Sequence, residues 1–168
     1  LVLISIGMVS ETGEKFYAEF MDFDKNKCSD WVRQNVVDQL RLRPFPDNML
    51  CKIVPYGDRA AQPSTSCIRG DKKHIAEAIK SWLVEFFIDG DYEKIQLVGD
   101  VCHYDMVLFC NLFGGALELP DFINPVVYDV CIDIMQDQTC EELKDFYICN
   151  ANGMEDAFDY PREELFND

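Results

Sequence analysis

The order of strand-type and helix-type apolar patterns constrains the fold of this chain of 168 residues more than any other sequence feature. Leu1–Val9 is an apolar run rich in β-branched residues, Phe16–Phe23 alternates more loosely, and turn-forming residues separate them, which predicts a β-hairpin. From Ser29 the apolar residues recur at helical spacing, and Ser29 or Asp30 is placed to cap the first turn. Trp31 is the first of these positions and Leu40 the last, so we expect a helix with these side chains on its buried face.

The middle of the chain contains an irregular segment followed by a strong helix. Arg41–Gly70 holds four prolines and few periodic positions, so we predict an irregular excursion there. Asp71 is placed to cap a helix whose apolar residues repeat every three to four positions from Ile75 to Phe87. Asp89-Gly90-Asp91 ends this helix.

The remaining segments alternate between strand and helix patterns. Ile95–Gly99 predicts a short buried strand, and Tyr104–Phe113 a helix that begins near Asp105 and ends at Gly114-Gly115. We further predict a loop at Pro120–Pro125, a strand at Val126–Val130 and a helix at Glu141–Ile148. This order of elements indicates one domain, residues 1–168, with a mixed α/β layer architecture.

Charge and cysteine usage exclude several classes of protein. The net charge of -16, from 31 acids and 15 bases, leaves no broad basic surface for tight, sequence-blind duplex binding. No apolar run reaches the roughly eighteen residues of a membrane span. The eight cysteines lie at long spacings without a Cys-x-x-Cys pair, and the two histidines, His74 and His103, are far apart, which argues against structural zinc. We expect reduced, largely buried thiols.

The segment with the clearest chemical potential runs from Ile95 to Phe109. It places Asp100, His103 and Asp105 where a strand ends and a helix begins, and ligand sites in α/β sheets favour the carboxyl ends of strands. The composition alone favours a turn residue at Asp100, a helix cap at Asp105 and a hydrogen-bonded loop histidine at His103.

This segment resembles the second motif of the DEDD-type 3′-5′ exonucleases, in which a strand leads to an aromatic-Asp pair, here Tyr104-Asp105, and a helix. Other segments resemble one subgroup, the ribonuclease T-like 3′-5′ exoribonucleases of bacteria and phages. They are Leu3–Val9 with Phe16–Phe20, then Trp31–Val36, and lastly Ala157–Leu165. Together these segments span nearly the whole chain.

The resemblance implies a ribonuclease H-like fold, a central mixed β-sheet flanked by helices. It also implies metal-dependent 3′-5′ trimming of RNA, with single-stranded DNA as a further substrate, to nucleoside monophosphates. Two Mg²⁺ or Mn²⁺ ions would serve as cofactors, since both prefer oxygen ligands. Asp105 is then the metal ligand and catalytic residue, and Asp100 and His103 lie at the edge of the site. The partner is the 3′ end of single-stranded RNA or DNA, and a homodimer is left open. The resemblance also implies a cytoplasmic enzyme.

Two family motifs are not found in the sequence. Family members carry an Asp-x-Glu just before the Leu-Ile-Ser-Ile-Gly strand and a His motif that ends in a further acidic ligand. Laying Ala151–Ala157 on the His motif puts alanine where histidine belongs, so we expect a first strand with Asp-x-Glu and a C-terminal helix with His-x-x-x-x-Asp outside residues 1–168. The chain as given would then be inactive, since Asp105 alone cannot hold two ions.

Two other interpretations remain open at this point. The first is a catalytically inactive module that binds nucleic acid or protein and keeps the fold without the metal site. The second, which rests on the cysteine count alone, is a disulfide-linked extracellular interaction domain.

Overall fold

The computed structural model describes residues 3–55, 62–89 and 94–130. They belong to two compact units, the first comprising residues 1–97 and 103–127 and the second residues 98–102 and 128–168. The predicted helix at Glu141–Ile148 and the acidic segment Ala157–Leu165 lie outside the described residues, as do Cys131, Cys140 and Cys149.

A four-stranded mixed sheet forms the centre of the first unit. Its strands are β1 (Ser5–Val9), β2 (Lys15–Phe20), β3 (Cys51–Ile53) and β4 (Thr65–Gly70), in the spatial order β1-β2-β4-β3. β1 and β2 pair antiparallel, β2 and β4 parallel, and β3 and β4 antiparallel. The hairpin predicted from the apolar runs is confirmed, although its second strand ends at Phe20.

The prediction of an irregular excursion over Arg41–Gly70 is wrong, because the segment contains β3 and β4. β4 is an interior strand, hydrogen-bonded on both sides and buried at four of its six positions. Its sequence, Thr-Ser-Cys-Ile-Arg-Gly, has only two β-branched residues. Burial between two neighbouring strands stabilises this conformation where intrinsic strand preference is weak.

α1 (Asp30–Asn35) begins where the sequence predicts but is much shorter than predicted. Ser29 Oγ accepts a hydrogen bond from the Val32 amide at 3.3 Å, which confirms the cap. The backbone leaves the helical region at Val36, and a 3-10 turn follows at residues 37–39. The helical phase therefore stops early, and Trp31, expected on the buried face, is 68% exposed.

α2 (Lys72–Asp89) contributes more residues to the apolar core than any other element. Asp71 Oδ1 accepts a hydrogen bond from the His74 amide at 3.1 Å, so the predicted cap is confirmed. Trp82 lies 4% exposed with its ring centroid 5.6 Å from that of Phe16 on β2. The core members on this helix are Ile75, Ala76, Ala78, Ile79, Trp82 and Leu83.

α3 (His103–Leu112) completes the core of the first unit with Phe109 and Leu112. Its predicted end is confirmed, since Gly114 has a φ of 104°, a conformation that favours glycine. A 3-10 turn at residues 116–118 and the loop that contains the buried Ile123 follow.

The described part of the second unit is a short parallel pair, β5 (Val98–Gly99) with β6 (Tyr128–Asp129). The prediction of a buried strand over Ile95–Gly99 is therefore too long, and it is wrong about burial, because Val98 is 61% exposed. Ile95 and Gln96 belong to the first unit, where Gln96 Nε2 donates to the Val126 carbonyl at 2.6 Å. That side-chain bond, with an isolated bridge from Ile95 to Ile123, holds this part of the chain.

The mixed sheet and its helices make the protein α/β, as the order of patterns predicts. Across residues 3–55, 62–89 and 94–130, no helix has both the length and the apolar character that a membrane crossing requires.

Candidate functional site

The turn after β5 is tightly built. A Cβ placed on Gly99 would lie 2.9 Å from Cys102 Cβ, closer than side-chain carbons approach, so the turn requires glycine here. The carboxylate of Asp129 accepts a hydrogen bond from the Val101 amide at 3.2 Å. Cys102 is buried and closes the turn, which makes its thiol a packing group.

Val101, within this turn, has a φ of 49°, in the left-handed region. A β-branched residue is a steric outlier there, because its Cβ crowds the backbone. Such strain is concentrated at functional sites in proteins and needs surrounding contacts to hold it. The bond from Asp129 and the close approach of Gly99 to Cys102 are those contacts.

Asp105 lies in the first turn of α3, close to where the sequence places it. A carboxylate at this position interacts favourably with the positive end of the helix dipole. Phe109, Cys110 and Leu112 are buried and fix the helix, while Asp105 itself is exposed. Its oxygens are thus presented to solvent from a rigid element, as a ligand for a hard cation requires.

The other candidate residues are placed less favourably for joint chemistry. His103 opens α3 and is exposed, but residues two apart on a helix point to different sides, so it does not share a face with Asp105. Asp100 is an exposed residue of the second unit. His74 is exposed, and its Nδ1 lies 2.8 Å from Asp71 Oδ2. This contact lowers the pKa of the Asp71 carboxyl.

The described residues do not by themselves fit a pair of divalent ions. Within residues 3–55, 62–89 and 94–130, no three His, Cys, Asp or Glu side chains come together as metal ligands would. Asp105 offers one carboxylate, and a two-ion site needs several.

Glu19 is the polar residue that sequence reasoning missed. It is 1% exposed, and its Oε1 accepts hydrogen bonds from the amides of Arg41 at 2.6 Å and Leu42 at 3.0 Å. Tyr17 Oη donates to the same oxygen at 3.2 Å, and burial together with the Glu19 charge raises the pKa of Tyr17. No hydrogen-bond partner reaches the buried Oε2 among the described residues. Alternation along β2 predicts an ordinary solvent-facing acid, so the sequence holds no signal for this role.

The five described cysteines, at positions 28, 51, 67, 102 and 110, are free thiols. Cys67 faces Cys51 in the strand register and is 2% exposed. Burial first, then the neighbouring Cys51 thiol and the Glu19 charge, raises the pKa of Cys67 to about 12. A thiol that stays protonated at neutral pH is a poor nucleophile, so Cys67 has a structural role.

Comparison with known proteins gives one consistent match. The chain is 34% identical over 119 residues to proteins named 3′-5′ exoribonuclease in two strains of Mycobacterium tuberculosis, CDC 1551 / Oshkosh and H37Rv. The aligned region covers 70% of this chain and 55% of each relative, so the chain spans about half the length of the relatives it matches. No protein-family model matches the chain.

Proposed function

We propose that this protein is a 3′-5′ exoribonuclease that trims single-stranded RNA from its 3′ end and releases nucleoside monophosphates. The observation that carries the proposal is the 34% identity to proteins with that name in Mycobacterium tuberculosis. The activity is also the one implied by the resemblance of Tyr104-Asp105 and its flanking segments to exonuclease motifs.

The proposal includes a ribonuclease H-like fold. The mixed sheet with antiparallel and parallel pairs, together with helices that bury one face against it, is compatible with that fold. The position of Asp105 in the first turn of a helix that follows a short strand supports the same assignment.

We assign Asp105 as a metal ligand in this activity and propose dependence on Mg²⁺ or Mn²⁺. Divalent ions in phosphodiester hydrolysis activate water and stabilise the leaving oxygen. The support is the exposed, helix-anchored carboxylate and the resemblance of its motif. Asp100 and His103 remain proposed edge residues. A cytoplasmic location belongs to the same proposal.

The test of direction and product uses the product of the whole gene, because this chain covers 55% of the relatives' length. Two preparations of one single-stranded RNA, labelled at the 3′ or the 5′ end, are incubated with Mn²⁺ or with EDTA. Trimming from the 3′ end releases labelled mononucleotide at once from the first preparation and gives a descending ladder from the second.

Three results would contradict the proposal. Internal cleavage fragments would identify an endonuclease, and release of the 5′ label as mononucleotide would reverse the direction. RNA that binds without shortening would favour the inactive binding module. Trimming that persists in EDTA would overturn metal dependence alone.

A further inference from the structure

Residues 25–43, here named the Trp31 platform, carry charge of the opposite sign to the rest of the chain. They hold five of the 15 basic residues but two of the 31 acidic ones. The bases are Lys25, Lys27, Arg33, Arg41 and Arg43, and the acids are Asp30 and Asp38. In a chain of net charge -16, this stretch has a net positive charge, which suits it to attract a polyanion.

A large aromatic ring lies exposed at the centre of this basic stretch. Trp31 on α1 is 68% exposed, while the smaller Val32 is half-buried and Val37 is 3% exposed. Leaving an indole in water forgoes the burial energy that a core position would give. Trp and Tyr side chains exposed beside cations are the usual stacking surfaces for unpaired bases.

The platform is fixed to the body of the first unit at several points. Val37 and Leu42 are buried, and within the platform Gln39 Nε2 donates to the Gln34 carbonyl on α1 at 3.4 Å. The Glu19 carboxylate accepts the amides of Arg41 and Leu42, so the backbone that carries the arginines is held by the sheet. Because folding already orders the platform, RNA binding costs little further conformational entropy of the protein, which favours affinity.

Three cations of the platform, Lys25, Lys27 and Arg43, are exposed at its surface. Arg33 Nη2 lies 3.3 Å from Asp30 and also donates to the Cys28 carbonyl at 3.2 Å. Lys27 Nζ lies 3.8 Å from Asp24, with the Lys27 side chain 82% exposed. Such exposed ion pairs contribute little to stability, so a phosphate can replace the carboxylate at small cost. Arg43 is exposed beyond them.

We propose that the Trp31 platform is a binding site for single-stranded RNA, in which an unpaired base stacks on the Trp31 indole and flanking phosphates pair with the platform cations. The choice of RNA as the polymer rests on the proposed function. Duplex nucleic acid does not fit, because its bases are already stacked and paired. An acidic protein segment would use the cations but not the face of the indole.

Intrinsic fluorescence reports on the site directly. The chain has two tryptophans, and Trp82 is 4% exposed, so the acrylamide-accessible emission that Trp31→Phe removes from the full gene product is assigned to Trp31. The full gene product is titrated in EDTA with a short oligoadenylate RNA. We expect RNA to quench the exposed component and to protect it from acrylamide. A blunt RNA duplex and polyglutamate of matched charge serve as competing probes and should leave the emission unchanged.

Substitutions separate stacking from apolar contact and from charge. Trp31→Ala and Trp31→Leu should both weaken oligoadenylate binding about 10-fold by anisotropy, while Trp31→Phe keeps most of the affinity. Leu117→Ala, at a 98% exposed residue outside the platform, is the matched control and should bind as the wild type does. Arg43→Gln should lower the slope of log affinity against log salt by about 0.7.

Each outcome decides for or against the site. Equal binding by wild type and Trp31→Ala, equal quenching by polyglutamate, or duplex binding as tight as oligoadenylate binding would overturn it. Trimming without Trp31-dependent binding leaves the proposed function and removes this site. If RNA binding depends on Trp31 but no trimming occurs, the binding site is supported and the proposed exoribonuclease activity is wrong.

Discussion

Replacement of Glu19 tests the structural reasoning most severely, because this buried residue links β2 to the backbone of residues 41 and 42. Its buried Oε1 accepts two backbone amides from residues 41 and 42 and the Tyr17 hydroxyl. Glu19→Ala removes the acceptor and leaves those donors without it. An unsatisfied buried donor costs about 1–3 kcal/mol. Removing the buried, unpartnered Oε2 offsets part of this cost. The expected net loss of unfolding free energy is about 3 kcal/mol.

Glu19→Gln separates the role of the acceptor atom from that of the charge. The amide oxygen can take the place of Oε1, so both backbone bonds persist in weaker, uncharged form. Hydrogen bonds to charged groups are worth about twice those between neutral groups, which gives an expected loss of about 1–2 kcal/mol. The predicted order of stability is wild type, then Gln, then Ala.

Urea unfolding, followed by fluorescence and circular dichroism, measures these differences. Coincident transitions and an unchanged dependence on urea justify a two-state analysis. Glu77→Ala, at an exposed position on α2, is the control and should stay within about 0.5 kcal/mol of the wild type. A Glu19→Ala protein as stable as the control, or a Gln variant as unstable as Ala, would refute the role assigned to Oε1.

Three further predictions concern pH and the strained turn. Because the folded pKa of Cys67 is about 12 and its unfolded value about 8.5, stability should fall as pH rises above about 9, by roughly 2–3 kcal/mol at pH 10.5. If the urea midpoint of Cys67→Ala falls with rising pH as steeply as that of the wild type, the assignment to Cys67 is wrong. Gly99→Ala should cost about 1–3 kcal/mol because its new methyl meets Cys102, and an unchanged melting temperature would exclude that contact. Val101→Asn should raise unfolding free energy by about 1 kcal/mol, since Asn tolerates a φ of 49°, and a lower melting temperature would argue against strain.

Local signals in the sequence predict the elements that their own residues stabilise. Ser29 and Asp71 cap the helices they precede, and Gly114 follows the end of α3. The hairpin of β1 and β2 is predicted from its two apolar runs and the turn between them. In each case the determining contacts lie within a few residues, where a sequence pattern can express them.

Elements fixed by distant contacts escape the same reasoning. β4 is a strand because β2 and β3 flank it, although Ser66, Cys67 and Gly70 have little strand preference. The helical spacing of the apolar residues from Trp31 to Leu40 predicts that Trp31 lies on a buried face. However, α1 ends at Asn35. Whether a periodic apolar residue is buried depends on where the helix stops.

Among the candidate functional residues, the sequence likewise predicts those placed by local contacts and misses the one placed by distant contacts. Tyr104-Asp105 is local to the start of α3, and the sequence places it there. Glu19 is buried because it binds the backbone amides of Arg41 and Leu42, more than twenty residues away. No pattern in the sequence of β2 predicts this contact. Long-range polar contacts of this kind need the fold before they can be identified.

The single-turnover rate of 3′-end shortening by the Asp105→Asn protein tests the central claim most directly. In the full gene product with Mn²⁺, this variant should trim single-stranded RNA at least about a hundredfold more slowly than the wild type, with an unchanged circular dichroism spectrum. Asp121→Asn, at another exposed acid of the first unit, should trim at the wild-type rate. A folded Asp105→Asn protein that trims as fast as the Asp121→Asn control would contradict the account.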